Sequence, residues 1–200
     1  MPDRCFVAAD LPPHTMAALS HAAALLADGA PGWRGEKWVA PDLFHVTIAF
    51  LGAIDDAATD GTFARLAAVT RDFMPLSLRP SGVRAVPGLH HASMIWALLD
   101  EPDGSMGPLR DALLAAAGCE PDPRSFSPHV TFVRARRPRS VHADVIAAAD
   151  AVLSHSGKQP DGSVSVPALT VYSSTLGPTG PTYRELTRLP LGGGERGRAD

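Results

Sequence analysis

Two hundred residues with 45% hydrophobic and 20% charged side chains bound the chain to one compact domain or two small lobes, and exclude a multidomain machine and global disorder alike. A formal net charge of -3 offers no chain-wide attraction for polyanions, so a long nucleic-acid track is excluded and any nucleic-acid contact must rest on a small basic cluster. Cys5 and Cys119 stand far apart with no CxxC, which signals neither a disulfide framework nor a cysteine-built zinc site and makes a reducing cytoplasm the default expectation. Nothing approaches the ~18 consecutive apolar residues of a membrane span, and the start lacks the basic-then-apolar pattern of an export signal, so neither insertion nor secretion is expected.

In chain order, the apolar run Cys5 to Ala9 predicts a buried strand that leaves through the turn Asp10-Leu11-Pro12-Pro13. Met16, Leu19, Ala23 and Leu26 recur at helical spacing until Gly29. Trp38-Val39 reads as a short strand, Phe44 to Leu51 as a strong one closed by Gly52, and about Asp55 to Phe73 as a helix. Pro75 to Val86 and Ala92 to Leu99 predict an antiparallel pair, followed by a helix from Ser105 to Ala117 ended by Gly118. The rest predicts a strand at Val130 to Val133, a helix at Val141 to Leu153, strands at Val164 to Ser173 and Thr182 to Leu189, and a mobile tail from Gly192. Helices interleaved with hairpin-like strand pairs indicate an α+β fold with mainly antiparallel sheet, and the recurring order suggests duplication into two lobes sharing one cleft.

The chemistry is carried by a repeat. Phe44-His45-Val46-Thr47-Ile48-Ala49-Phe50 is echoed by Pro128-His129-Val130-Thr131-Phe132-Val133-Arg134, each copy in a predicted strand. Period-two alternation puts His45 and Thr47 on one face with Val46, Ile48 and Phe50 on the other, and repeats this at His129 and Thr131. If the lobes oppose these strands, two His-x-Thr units line one groove. Displacement at phosphorus needs a base on the entering oxygen, an acid on the leaving oxygen opposite it, and donors to the remaining oxygens. Two imidazoles and two threonine hydroxyls supply that set.

The chain resembles the two-histidine phosphoesterases, and specifically the bacterial RNA 2′,3′-cyclic phosphodiesterases, also called 2′-5′ RNA ligases. Beyond the two motifs, the resemblance runs through Phe6-Val7-Ala8-Ala9-Asp10-Leu11-Pro12, Trp38-Val39-Ala40-Pro41-Asp42-Leu43, Phe126-Ser127-Pro128 and Leu169-Thr170-Val171-Tyr172-Ser173-Ser174. It implies a bilobal duplicated fold with outer helices over residues 1–191, one motif per lobe, with 192–200 as tail. It also implies hydrolysis of 2′,3′-cyclic phosphate ends of RNA or nucleotides to 2′-phosphates by a monomer, with no metal or cofactor, together with reverse ligation to a 2′-5′ linkage. By motif position, His45 would protonate the 3′ leaving oxygen, His129 would activate water, and Arg134 would neutralise phosphate charge.

Other residues carry blander expectations. On a regular strand Arg134 faces away from His129, so its reach to phosphate requires a twist or bulge. Arg136, Arg137 and Arg139 read as a solvated basic face, His90-His91 as loop residues, and His14, His21, His142 and His155 as surface. Trp33 and Trp38 read as core rather than base-stacking residues. Two other functions stay open on the residues alone: a non-catalytic module binding RNA ends, and a metal-dependent phosphohydrolase using His45 and His129 as ligands.

Overall fold

The computed structural model describes residues 4–54, 59–123, 125–156, 163–177 and 180–192; residues 193–200, most of the expected tail, lie outside them. The first half runs β1 (Arg4–Ala9), α1 (Pro13–Gly29), β2 (Lys37–Trp38), β3 (Val46–Ala53) and α2 (Thr59–Thr70). The chain continues with β4 (Leu76–Val86), β5 (Ala92–Asp100), α3 (Met106–Ala117), β6 (His129–Arg139) and α4 (Ala143–Ser156). It closes with β7 (Val164–Val166), β8 (Ala168–Gly177) and β9 (Gly180–Pro190). Local chemistry sets the helix ends. Pro13 opens α1, where its missing N–H costs no helical bond, and Thr15, Leu19, Ala22, Ala23 and Leu26 form the buried stripe. Helix α3 begins where the Glu101 carboxylate accepts the Met106 N–H at 2.7 Å, and it ends at Gly118, whose φ of 73° suits a left-handed cap.

The strands form two sheets, a four-stranded one ordered β3-β1-β8-β9 and a five-stranded one ordered β2-β6-β5-β4-β7, and all pairings are antiparallel. This is the α+β architecture of two antiparallel sheets expected above. The helices cross between sheets. Helix α1 leaves the four-stranded sheet yet packs on α4, which covers β4 of the other; α3 leaves the five-stranded sheet yet packs on α2 and on β3. The course β1-α1-β3-α2 is thus repeated as β5-α3-β6-α4, and the helices of the two halves pack on one another, α1 on α4 and α3 on α2, with α3 also against β3.

Two expectations are corrected. The run Val164 to Ser173 is two strands: Val164–Val166 joins β4 in one sheet, Ala168–Gly177 joins β1 in the other, and the break falls at Pro167. Proline has no N–H for a ladder, and here it marks the change of sheet. Strand β6 also continues past Val133 to Arg139, held by β5 and β2. Arg139 is therefore not a solvated charge: it pairs with Glu36 at 2.6 Å, donates to the Gly32 carbonyl and lies over the Trp33 ring. Trp33 itself is 1% exposed and donates its indole N–H to the Ser140 carbonyl, as a core residue.

The sheets meet where β3 touches β6. Phe44, just before the first motif, and Phe132, inside the second, pack there with ring centroids 5.4 Å apart, and the Val39 N–H donates to the Phe132 carbonyl. Phe132 is fully buried. Phe132→Ala should cost about 3–5 kcal/mol, the usual range for emptying a buried phenylalanine site. Urea unfolding measures it, and a loss under about 1 kcal/mol would mean that this junction does not hold the halves together.

Candidate active site

His45 leads into β3 and His129 opens β6, and the two rings are set alike. His45 Nδ1 donates to the Leu43 carbonyl at 2.8 Å, and His129 Nδ1 donates to the Ser127 carbonyl at 2.8 Å. A carbonyl can only accept, so Nδ1 carries the hydrogen in both rings and Nε2 is left as the working nitrogen. Thr47 follows the first ring, its Oγ1 3.1 Å from His45 Nε2. Thr131 occupies the corresponding place after His129, opposite Trp96 in the sheet.

Each motif strand contains a bulge immediately after its threonine. The pairing of β1 with β3 passes from Ala8↔Thr47 to Val7↔Ala49, and that of β5 with β6 passes from Trp96↔Thr131 to Ile95↔Val133, so Ile48 and Phe132 are the extra residues. The skipped residue and its successor both turn inward: Ile48 and Ala49 are buried, as are Phe132 and Val133. Side-chain parity flips there. Phe50 consequently leaves the core face assigned to it by alternation and is 67% exposed, 6.2 Å from the Phe6 ring on the histidine side. The equivalent flip brings Arg134 onto the face of His129, where its guanidinium donates to Thr131 Oγ1 at 3.4 Å.

The two units act on each other electrostatically. Burial is the main cause holding both imidazoles below their ordinary pKa; in each ring the bonded carbonyl pulls it back up and Arg134 pushes it down. A charge on His129 also disfavours one on His45, so the rings share one field although they come from different sheets. Asp10 works the other way on His45 and favours its imidazolium. The Asp10 carboxylate is fixed at the end of β1 by Thr170 Oγ1 at 2.6 Å and the Tyr172 hydroxyl at 2.8 Å, with Arg188 3.7 Å away. Burial first, and then Asp10, push the Tyr172 phenol up to about 12, so it stays a donor.

Aromatic rings wall both histidines. Phe6 and Tyr183 flank His45 with centroids at 5.1 and 5.3 Å, and Trp96 stacks on His129 at 3.8 Å. Alternation conceals Phe50 on the wrong face. Asp10 is masked by the Asp-Leu-Pro-Pro turn signal, and Phe6, Trp96 and Tyr183 by their place in ordinary strand patterns. Phe6 and Trp96 lie on strands paired with a motif strand, whereas Tyr183 reaches His45 from β9, at the opposite edge of the four-stranded sheet from β3. His14, His21, His90, His91 and His142 are exposed away from the motifs, whereas the side chain of His155 lies outside the described residues. Among the described residues, no three His, Cys, Asp or Glu side chains gather as a metal centre would require, and no helix is long and apolar enough to cross a membrane.

The family model "LigT like Phosphoesterase" matches residues 10–96. The RNA 2′,3′-cyclic phosphodiesterase of Aeropyrum pernix is 28% identical over 75% of this chain and 83% of its own. Among solved structures, a protein of Thermus thermophilus superposes with TM-score 0.72 at 23% identity, covering 96% of this chain and 99% of its own. E. coli LigT in complex with NADP+ superposes with TM-score 0.66 at 22% identity, covering 96% and 99% respectively. The fold likeness extends through the second motif, beyond the residues 10–96 over which the chain resembles the LigT-like phosphoesterases.

Proposed function

We propose that the protein is an RNA 2′,3′-cyclic phosphodiesterase that opens terminal 2′,3′-cyclic phosphates to 2′-phosphates, with His45 and His129 as its acid–base pair and RNA 3′ ends or nucleoside cyclic phosphates as substrates. The observation that carries this reading is the matched setting of the two rings, each with Nδ1 locked on the carbonyl two residues upstream and a threonine two residues downstream. A curated relative bears that activity in its name, at a similarity spanning three-quarters of this chain.

The charges distinguish the two roles. Asp10 favours a proton on His45, while the influences on His129 are burial, the Ser127 carbonyl and Arg134, with no carboxylate among them. Because a carboxylate favours the proton only on His45, we assign it the acid: its Nε2–H gives a proton to the departing O3′ as neutral His129 Nε2 takes one from water. The hydroxyls of Thr47 and Thr131 and the guanidinium of Arg134 hold the non-bridging oxygens, and because they stand on strands they need little rearrangement as charge builds. Phe50, exposed on the His45 side, offers a shelf for the base.

Turnover of adenosine 2′,3′-cyclic phosphate in excess chelator is the primary test. Wild type should be indifferent to chelator, and His45→Ala and His129→Ala should each lose at least ~10²-fold in kcat, the scale of acid–base assistance. Retention of activity by either variant would remove that ring from the chemistry.

The pH profile follows from the shifts. Both pKa values lie below the ordinary imidazole value of about 6.5, so the bell in log kcat/KM should peak on the acid side of it, with limbs belonging to the coupled pair. Arg134 disfavours both imidazoliums, so Arg134→Met should move the peak to higher pH as well as lowering it; Asp10→Asn, which removes a charge favouring the His45 proton, should move it lower. Shifts in the same direction would refute the assignment of opposing charges.

Phe50→Ala should raise KM at least about fivefold, the low end of a base-stacking contact, with a smaller change in kcat. Steady-state kinetics on the same cyclic nucleotide decide it, and an unchanged KM would clear the shelf of any role.

A further inference from the structure

Trp33, Trp38 and Trp96 are the chain's three tryptophans, and two of them are held by the indole N–H: Trp33 donates to the Ser140 carbonyl at 3.1 Å and Trp38 to the Trp33 carbonyl at 2.9 Å. The Trp96 Nε1–H is buried with no hydrogen-bond partner among the described residues, a cost that folded chains seldom carry. What Trp96 has instead is a face contact. Its ring lies 3.8 Å from that of His129, centroid to centroid, with the planes 22° apart. The register explains the contact, because Trp96 stands directly opposite Thr131 and is therefore one diagonal step from His129 on the cleft face. In the first motif the corresponding position is Ala8, opposite Thr47, and the rings beside His45 stand tilted by 33° or edge-on at 87°, both beyond 5 Å. A close stack therefore exists on one imidazole of the pair and not on the other.

We propose that Trp96 is a positioning residue for His129, its indole face holding the imidazole plane and stabilising the positive charge that this ring takes on as it removes a proton from water. This role rests on the proposed phosphodiesterase reading. Hydrogen bonding and stacking restrain different motions. The Nδ1 bond to the Ser127 carbonyl lies in the ring plane and leaves the ring able to tilt about that bond; a flat indole against its face removes the tilt and keeps Nε2 on line. The stack also strengthens as the reaction proceeds, because the negative face of an indole attracts a cation more than a neutral ring. As the water oxygen bonds to phosphorus and the P–O3′ bond breaks, the water proton moves to His129 Nε2 and His45 Nε2–H supplies the one on O3′. The charge on His129 thus develops only toward the transition state, and an interaction that grows there raises kcat and leaves substrate binding alone. Among the described residues, the charged and titratable groups around His129 are Arg134 on its own strand, Lys37 opposite Arg134 on β2, Arg84 on β4, Asp100 and Glu101 at the end of β5, and His45 and Tyr183 on the other sheet. Substitution at Trp96 alters none of them.

Two replacements test the role: Trp96→Leu, which keeps an apolar cover without a π face, and a multiply fluorinated tryptophan at position 96, which keeps the ring's shape and drains its negative face. Nitrogen-15 NMR of the histidines reads the titration midpoint of His129 itself, beside kcat and KM for adenosine 2′,3′-cyclic phosphate. In both proteins that midpoint should fall by about half a pH unit, and kcat by at least about threefold with KM within about twofold of wild type, the scale of a cation–π contact. The loss in kcat should be larger in Trp96→Leu, where the ring is also free to tilt; equal losses overturn the holding role. The fluorinated ring keeps the native packing, so an unmoved midpoint there overturns the charge role even where Trp96→Leu does not fold. A midpoint that rises in Trp96→Leu overturns it too, because the indole would then act only by excluding water. So does a higher KM with kcat unchanged, which would put the indole against the substrate. Wild type that turns over no cyclic phosphate sinks the phosphodiesterase reading and this role with it, whereas normal turnover in all three proteins overturns the role alone.

Discussion

Everything in the cleft depends on the hydrogen bond from each imidazole Nδ1 to a backbone carbonyl two residues upstream. That bond fixes the tautomer, restrains rotation of the ring, and leaves Nε2 clear of the backbone carbonyl. It also raises the affinity of a buried ring for protons, opposing the burial that lowers it, so the nitrogen can still change protonation state in a partly dry site. A longer-range tether would leave ring orientation to side-chain packing. Here the orientation is written into three consecutive backbone units, and the same units occur twice.

For two such rings to address one phosphorus atom, the strands carrying them must keep a fixed relation. The crossed helices provide it. Because α1 packs with α4, and α3 packs with α2 and β3, neither half can shift without disturbing the other's packing. Phe44 against Phe132 and the Val39–Phe132 backbone bond close the same joint from within. The bulges add the last requirement. By reversing alternation after each threonine they place the residue five positions beyond the histidine on the reactive face, which a regular strand would deny it.

Much of this is legible in the amino-acid order, and the parts that are not share a cause. The repeated His-Val-Thr, the strand and helix order and the inward faces of α1 and α3 follow from short-range patterns, which local chemistry dictates. The need for a bulge at Arg134 was also readable, because a regular strand would have misplaced a residue with an evident electrostatic use. The matching bulge behind Phe50 left no comparable sign: an aromatic among β-branched neighbours satisfies the alternation rule on the wrong face. Asp10, Pro167 and Arg139 were obscured for another reason. Their partners, Thr170 and Tyr172 for Asp10 and Glu36 for Arg139, are distant in sequence, so a turn signal, a strand run and a basic cluster were the only local descriptions available.

In the proposed reaction, the divergence of the two copies gives direction to a near-symmetric site. Register equates Phe6 with Met94, Phe50 with Arg134, and Ala8 with Trp96, since each pair stands at the same step from its threonine. On the His45 side these positions carry two rings, with Tyr183 alongside, and Asp10 adds a negative charge; on the His129 side they carry a cation and a tryptophan stacked on the imidazole. The proposed acid thus stands among rings beside a carboxylate, and the proposed base beside a cation. In the proposed reaction the two motifs supply like acid–base groups, and the residues at equivalent positions distinguish them. The asymmetry is electrostatic and aromatic rather than conformational, because both backbones retain the same clamp, the same threonine and the same bulge.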